Sequence, residues 1–97
     1  MLMKEFQMLL KRVPEGKVVT YKIIADELGI SARHAGKLCS KNPYPVKYPC
    51  YKVVNSNGLI GGYSDKDGIK SKIRKLENDG IRVENKRIDL SKHLFKF

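Results

Sequence analysis

The sequence predicts a mainly α-helical, winged-helix-like fold with a helix-turn-helix and a small β-hairpin, in a single domain over residues 1–97. Apolar residues recur at helical spacing in several segments, and two of these segments are short and separated only by the residues GIS. Near the C-terminus the apolar residues alternate instead. A length of 97 residues with 41% hydrophobic residues suffices for one modest core and not for two.

The first predicted helix supplies an apolar stripe to the core. Leu2, Phe6, Leu9 and Leu10 recur at helical spacing, and Pro14 then stops the helix because a proline cannot continue it.

The next two predicted helices form the helix-turn-helix. Thr20 is a good N-cap for a helix from Tyr21 to Leu28, Gly29 ends that helix, and Ser31 caps the following one. In such a motif the second helix is the one usually presented to nucleic acid.

That second helix carries a stripe of small residues with basic flanks. The small residues are Ala32, Ala35, Gly36 and Cys39, and the flanking residues are Arg33, Lys37 and Lys41. Such a stripe is typical either of tight packing against a neighbouring helix or of a close approach to another surface. The basic flanks favour a phosphate-lined groove.

A rigid segment precedes the second cysteine of the chain. Pro43, Pro45 and Pro49 fix the backbone as an extended loop that ends at Cys50. A free cysteine usually packs as a small buried residue, and Cys50 is either such a residue or a nucleophile held by a stiff loop.

The C-terminal half predicts a pocket wall, a fourth helix and the hairpin. The glycines of NSNGLIGGYS permit tight turns and a close backbone approach. In the fourth helix Glu77 lies four residues after Ile73 on the apolar side, so it either has a buried partner or reaches water at the edge of the stripe. Apolar residues then alternate around Ile81 and Ile88, with the hairpin turn near Asn85.

The charge indicates an anionic polymer as partner. Twenty Lys and Arg residues against ten Asp and Glu residues give a formal net charge of +10. A solvated lysine-rich surface is the alternative, and charge alone does not choose between DNA, RNA and ribosome.

Location and metal content are predicted from what the sequence lacks. It has no apolar run long enough to span a membrane and no signal sequence, so we expect a cytoplasmic protein. Two cysteines in such a chain are expected to be thiols, and their spacing with His34 predicts no metal site.

Several separated motifs together resemble one family. The stretches GKVVTYKIIA, ARHAGKLCSKNP, YPCYKVVNSNG, GGYS and KLENDG resemble the DNA-binding and active-site domain of the O6-alkylguanine-DNA alkyltransferases, in the same order and at matching distances. The family has Pro-Cys-His-Arg-Val-Val where this chain has PCYKVV, so Tyr51 stands in the His position after Cys50. Tyrosine passes a hydrogen bond but is a poor base at neutral pH.

The resemblance implies a role for each site residue. Tyr21 would rotate the target phosphate, Arg33 would fill the space left by a flipped guanine, and Asn42 would tie the recognition helix to the active-site loop. Cys50 would be the alkyl acceptor, and Glu77 would be the buried carboxylate of its activating network. The other implied DNA-binding residues are Ala32, Gly36 and Lys37, and the implied pocket-lining residues are Cys39, Pro45, Tyr63 and Ser64, of which Tyr63 and Ser64 would read the base.

The implied function is repair of O6-alkylguanine in double-stranded DNA. The base would be flipped out of the stack, and its alkyl group transferred irreversibly to Cys50 in a single turnover, by a monomer without a cofactor. A non-catalytic protein that binds the lesion and flags it for another pathway is the alternative. A basic helix-turn-helix that binds RNA or the ribosome would not explain the pocket residues together with Cys50.

Overall fold

The computed structural model describes residues 2–45, 47–61 and 68–97. It is mainly helical with one two-stranded sheet, as the sequence predicts. Across the described ranges no helix has the length and apolar character needed to cross a membrane. The elements in chain order are α1 Leu2–Arg12, β1 Val19–Thr20, α2 Tyr21–Leu28, α3 Ala32–Lys41, a 3₁₀ turn Cys50–Lys52, β2 Val53–Val54, α4 Ile69–Asn78 and α5 Leu90–His93.

The helix-turn-helix forms where the capping residues predict it. The Thr20 hydroxyl accepts a hydrogen bond from the Ile23 amide at 3.1 Å, which satisfies one of the free donors at the start of α2. Helix α2 ends at Gly29, which adopts the left-handed conformation with φ 70°. Ser31 caps α3 in the same way as Thr20 caps α2, through the His34 amide at 3.1 Å.

The two strands are parallel and join distant parts of the chain. Val19 pairs with Val53 and Thr20 pairs with Val54, so the strand that enters α2 lies beside the strand that follows the 3₁₀ turn. The helix-turn-helix and the Cys50 segment are therefore joined by a backbone ladder.

The predicted hairpin is present only as a tight turn. Asn85 and Lys86 have φ values of 51° and 59°, and Glu84 and Arg87 form a single antiparallel bridge around them. The apolar residues on either side, Ile81 and Ile88, are 1% and 3% exposed and pack in the core instead of extending the ladder.

The buried apolar residues form two clusters that meet at the Cys50 segment. The first core cluster comprises Phe6, Leu9, Leu10, Val13, Val19, Ile24, Ala25, Ala35, Leu38, Cys50 and Val53. The second core cluster comprises Val18, Val54, Ile60, Leu76, Ile81 and Ile88. Successive residues of β2, Val53 and Val54, thus point into different clusters, as alternation along a strand requires.

The C-terminal tail returns to the start of the sheet. The Val18 amide donates to the His93 carbonyl and the Phe95 amide donates to the Val18 carbonyl, both at 2.8 Å. Farther along the tail, the Phe97 ring lies under the Arg12 guanidinium, 5.1 Å from its centroid. These contacts hold the end of the chain against α1 and β1.

Candidate active site and nucleic-acid interface

Cys50 is presented from a short, hydrogen-bonded turn. Its amide donates to the Tyr48 carbonyl at 2.8 Å, and the Lys52 amide donates to the Pro49 carbonyl at 3.1 Å. The cysteine is 3% exposed and belongs to the first core cluster. It is therefore a buried residue, but one at the boundary of two clusters and within a turn rather than inside a regular element.

The surroundings of the Cys50 thiol act in opposite directions on its acidity. Burial raises the pKa of the thiol above its ordinary value, because a thiolate loses its hydration there. A hydrogen bond from the Asn42 side chain and the charges of Lys72 and Lys75 counteract this effect by favouring the thiolate. The net pKa is raised, so the resting group is a thiol with thiolate-stabilising groups already beside it.

Asn42 connects three segments through one side chain. It caps the end of α3 and is 7% exposed. Its amide oxygen accepts from the Gln7 side chain at 3.2 Å and from the Tyr44 amide at 3.1 Å, while its amide nitrogen donates to the Tyr48 carbonyl at 2.9 Å. The residue lies between α1, α3 and the loop that leads to Cys50, where it can orient that loop.

Lys72 is a buried cation that the sequence interpretation missed. It is 1% exposed, and its ammonium group donates to the Val53 carbonyl at 2.8 Å. Burial lowers its pKa to about 8, and the two cysteines act in the opposite direction. The signal in the sequence is its spacing: Lys72 lies three residues after Ile69 and four before Leu76, within the apolar stripe of α4.

The buried carboxylate at the end of α4 is Asp79, not Glu77. The structure places Glu77 on the exposed side of α4, so the expectation that it is buried near Cys50 is wrong. The buried side of α4 runs through Lys72 and Leu76, and the next position at that spacing is Asp79. Spacing counted from the half-buried Ile73 led instead to Glu77.

Asp79 is held in a buried ion pair with the turn that carries Cys50. Its carboxylate lies 3.2 Å from the Lys52 ammonium, and the two side chains are 10% and 7% exposed. The carboxylate also accepts from the Gly16 amide at 3.2 Å, and the ammonium donates to the carbonyls of Val13 and Pro14 at 3.3 and 3.0 Å. The pair therefore joins the end of α1, the 3₁₀ turn and the end of α4.

Tyr51 and Pro45 share a cavity with this end of α4. The cavity has a volume of about 290 Å³ and is lined by Pro45, Tyr51, Lys75, Asn78 and Asp79. Tyr51 packs against the second core cluster. The structure thus brings the residue in the family's His position to the same cavity as a carboxylate, although that carboxylate is Asp79.

Cys39 lies on α3 against the first core cluster and is half-buried. Burial, with a further contribution from Cys50, raises the pKa of its thiol to about 12, so Cys39 stays protonated at neutral pH. Two other residues that the resemblance places in the pocket, Tyr63 and Ser64, lie outside the described residues.

A second, shallow cavity lies on the helix-turn-helix. Its volume is about 410 Å³, and it is lined by Tyr21, Ala32, Arg33, Gly36, Asn55 and Gly61. The structure therefore brings together four of the five residues predicted to bind DNA; the fifth, Lys37, is exposed on α3 outside this lining. Burial raises the pKa of the Tyr21 hydroxyl, which keeps it a hydrogen-bond donor.

The sequence left two interpretations of the stripe of small residues on α3, tight packing or a close approach to another surface, and different residues of the stripe fit each one. Ala35 is fully buried and packs in the first core cluster. Ala32 and Gly36 line the surface cavity instead. Asn55 and Gly61, which the sequence interpretation did not assign to this surface, complete the cavity; Gly61 has φ 71°, a conformation that favours glycine.

A comparison with family models decides the relationship of the chain. The family described as 6-O-methylguanine DNA methyltransferase, DNA binding domain, matches residues 2–81. The chain belongs to this family. The match includes α1, the helix-turn-helix, the Cys50 turn and α4 with Asp79.

Curated relatives are similar in sequence but longer. The chain is 48% identical over 89 residues to a bifunctional methyltransferase/endonuclease of Picrophilus torridus, a match that covers 90% of the chain and 29% of that protein. It is 50% identical over 72 residues to a methylated-DNA–protein-cysteine methyltransferase of Saccharolobus islandicus, which covers 74% of the chain and 46% of that protein. The chain thus spans less than half the length of these relatives.

Solved structures show the same fold. The O6-methylguanine-DNA methyltransferase of Pyrococcus kodakaraensis has a TM-score of 0.74 at 40% identity, over 81% of this chain and 46% of that chain. S. pombe Atl1, in complex with damaged DNA containing O6-carboxymethylguanine, has a TM-score of 0.87 over 99% of this chain and 95% of that chain. At 23% identity the second likeness supports the fold alone.

The assignment of the buried carboxylate to Asp79 rather than to Glu77 can be tested by measuring the stability of two variants. Asp79→Asn leaves the buried Lys52 ammonium without its carboxylate, so we expect the free energy of unfolding to fall by about 3 kcal/mol or more. Glu77→Gln changes an exposed position and should shift the value by no more than about 0.5 kcal/mol. Urea denaturation followed by circular dichroism measures both. Equal losses in the two variants would contradict this assignment of the buried carboxylate.

The electrostatic setting of Cys50 predicts a pH profile. In a Cys39→Ser background, the rate of Cys50 alkylation by iodoacetamide should still rise with pH above the ordinary thiol range, because the folded-state pKa is raised. Lys72→Met removes a charge that favours the thiolate and should lower the alkylation rate at pH 7, where Lys72 with its pKa of about 8 is charged. Intact-protein mass spectrometry gives the rates. An unchanged rate at pH 7 in Lys72→Met would show that Lys72 does not act on Cys50.

Proposed function

We propose that this protein repairs O6-alkylguanine in double-stranded DNA by transferring the alkyl group to Cys50. One observation carries the proposal: the cysteine of the PCYKVV motif lies in a fixed turn, next to an amide and a buried cation that favour its thiolate. The relatives named methylated-DNA–protein-cysteine methyltransferases support the same chemistry. The protein would then be a single-turnover methyltransferase.

The reaction needs only the thiol and the damaged base. The Cys50 sulfur attacks the alkyl carbon, a carbon–sulfur bond forms, and the bond between that carbon and O6 of guanine breaks. The electron pair of the broken bond stays on the guanine. The guanine takes up one proton and the thiol loses one, so the protons balance. Unmodified guanine and an S-alkylcysteine are the products, so the reaction consumes no cofactor and no water.

Each neighbour of Cys50 has a defined task in this proposal. Asn42 donates a hydrogen bond to the developing thiolate and holds the loop, and Lys72 supplies a positive charge from within the core. The pKa of the resting thiol is raised, so these groups act when the thiol proton leaves. Tyr51, near Asp79, would relay a hydrogen bond rather than accept the proton as a free base.

The surface cavity of the helix-turn-helix fits the extrusion of the base. Chemistry on a base within a duplex requires that the base leave the stack, at a cost of a few kcal/mol. Tyr21 and Arg33 line the cavity. In this proposal Tyr21 would act on the DNA backbone and Arg33 would fill the vacated space. The partner in this proposal is duplex DNA, as in the structure of Mycobacterium tuberculosis OGT in complex with DNA.

A second candidate function is lesion binding without transfer. The raised pKa of the Cys50 thiol and the tyrosine at position 51 favour it, because both reduce the supply of thiolate at neutral pH. In that case the protein would flip the damaged base, hold it and mark it for another pathway. Measurement of the product on Cys50 separates the two functions.

Transfer predicts a mass change on one residue. After incubation with a duplex carrying one O6-methylguanine, each chain should gain one methyl group, on the peptide that contains Cys50 and not on the one that contains Cys39. Cys50→Ser should abolish the gain and still bind the lesion, and Tyr51→His should transfer at least as fast at neutral pH. Tight binding of the damaged duplex with no mass gain over a range of pH would contradict repair and support lesion binding without transfer.

Two of the basic residues on α3, Arg33 and Lys37, should give different defects when they are replaced. Arg33→Ala should slow transfer by roughly tenfold or more, equivalent to about 1.4 kcal/mol or more, because extrusion loses the side chain that fills the vacated space. Lys37→Ala should weaken damaged and undamaged duplex equally and lower the salt slope of binding by about 0.9. Single-turnover rates and binding across salt concentrations test both. Identical profiles for the two variants would contradict the separate roles.

A further inference from the structure

A second basic surface lies beside the helix-turn-helix cavity. We name it the wing surface and define it by four exposed residues, Arg82, Lys86, Arg87 and Lys92. Three of them, Arg82, Arg87 and Lys92, line a shallow cavity of about 420 Å³. Residues 82–97 contain five Lys and Arg residues against two acidic residues, so the segment has a net charge of +3 without its histidine.

The two acidic residues of the segment have local partners. Glu84 pairs with Arg82 on the surface. Asp89 accepts hydrogen bonds from the amide and the hydroxyl of Ser91 at 3.0 and 2.6 Å, and so caps α5. Both acidic residues line the same cavity as Arg82, Arg87 and Lys92, and the hydrogen bonds from Ser91, followed by the charge of Lys92, lower the pKa of Asp89. Counted together, the charges of residues 82–97 still leave a positive excess, to which Lys86 contributes from outside the cavity lining.

The wing surface is fixed to the helix-turn-helix cavity through residues 58–60. The Ile60 amide donates to the Lys86 carbonyl at 3.0 Å, and the Ile88 amide donates to the Gly58 carbonyl at 2.9 Å. Gly61 follows this stretch directly, and Asn55 is joined to it by hydrogen bonds from the Asn55 amide to the Leu59 carbonyl at 2.8 Å and from the Gly58 amide to the Asn55 carbonyl at 2.9 Å. Asn55 and Gly61 both line the cavity, so this turn connects the wing surface with the candidate DNA interface.

Gly58 shows how close the two segments lie. It has φ 89°, and a Cβ atom at this position would be 2.6 Å from the Ile88 carbonyl oxygen. No side chain fits between the turn and the wing. In addition, the Arg87 guanidinium donates to the Asn57 carbonyl at 3.3 Å, which holds this basic side chain against the same turn.

We propose that the wing surface binds the phosphate backbone of the same duplex that the helix-turn-helix engages. The inference rests on the proposed function, because it takes duplex DNA as the ligand of the cavity. Its own support is the concentration of positive charge and the continuity of the surface with the cavity.

The test compares two pairs of substitutions with the same change in net charge. The wing pair is Lys86→Asn with Lys92→Gln; asparagine tolerates the left-handed conformation at position 86. The control pair is Lys4→Gln with Lys11→Gln, two exposed positions on α1. Affinity for an undamaged duplex of roughly two helical turns is measured by fluorescence anisotropy between about 50 and 200 mM salt.

We expect the wing pair to lower the magnitude of the salt slope by about 1.8, or about 0.9 for each phosphate contact that is lost. The control pair should keep the slope of the parent. If the wing pair keeps the parent slope, or if both pairs lower it equally, the surface makes no specific contact and the inference is wrong. Lys92→Gln alone, with an expected change of about 0.9, serves if the substitution at Lys86 prevents folding.

Repair and the wing surface can fail separately. Salt-dependent binding that the wing pair reduces, without any mass gain on Cys50 in the parent, would reject repair and retain the wing surface. Transfer at the parent rate with an unchanged slope in the wing pair would retain repair and reject the wing surface. A parent that binds no duplex at all would reject both.

Discussion

The buried ion pair between Lys52 and Asp79 fixes the position of the turn that carries Cys50 in the fold. The turn that carries Cys50 has three residues and no regular element before it, so its own hydrogen bonds cannot define its position. Lys52 fixes the turn to the end of α4 through Asp79, and to the end of α1 through two carbonyl groups. Because both charges are nearly excluded from water, each one requires the other, and the three segments are held at one spacing.

The parallel pairing of β1 with β2 extends this constraint to the helix-turn-helix. Val53 is three residues after Cys50, and Val19 is two residues before the start of α2, so the paired strands carry the turn on one side and α2 on the other. The candidate acceptor and the candidate base-flipping surface are therefore connected through the sheet. In the proposed function, a duplex that is seated on the helix-turn-helix has its damaged base at a fixed distance from the sulfur.

Local signals predicted the helices well, and buried polar contacts were predicted poorly. Thr20, Gly29 and Ser31 mark the ends of α2 and the start of α3 in the sequence, because capping depends on neighbouring residues only. The carboxylate near Cys50 was assigned to Glu77, whereas the fold buries Asp79. The difference is a rotation of α4 about its axis, which depends on packing between segments distant in the sequence and has no local signal. Lys72 had a signal, its place in an apolar stripe, but lysine in such a stripe more often extends to solvent.

The burial of Cys50 has a consequence for an acceptor that works only once. A thiol with a low pKa and free access reacts with any small electrophile, and each such event would inactivate one molecule of a protein that has no means of regeneration. Here Cys50 is 3% exposed and the pKa of its thiol is raised, so under the proposed function the unbound protein would react slowly with small oxidants and alkylating agents, because little thiolate is present. Selectivity under the proposed function is thus kinetic, and the number of lesions removed is set by the supply of intact chains rather than by turnover.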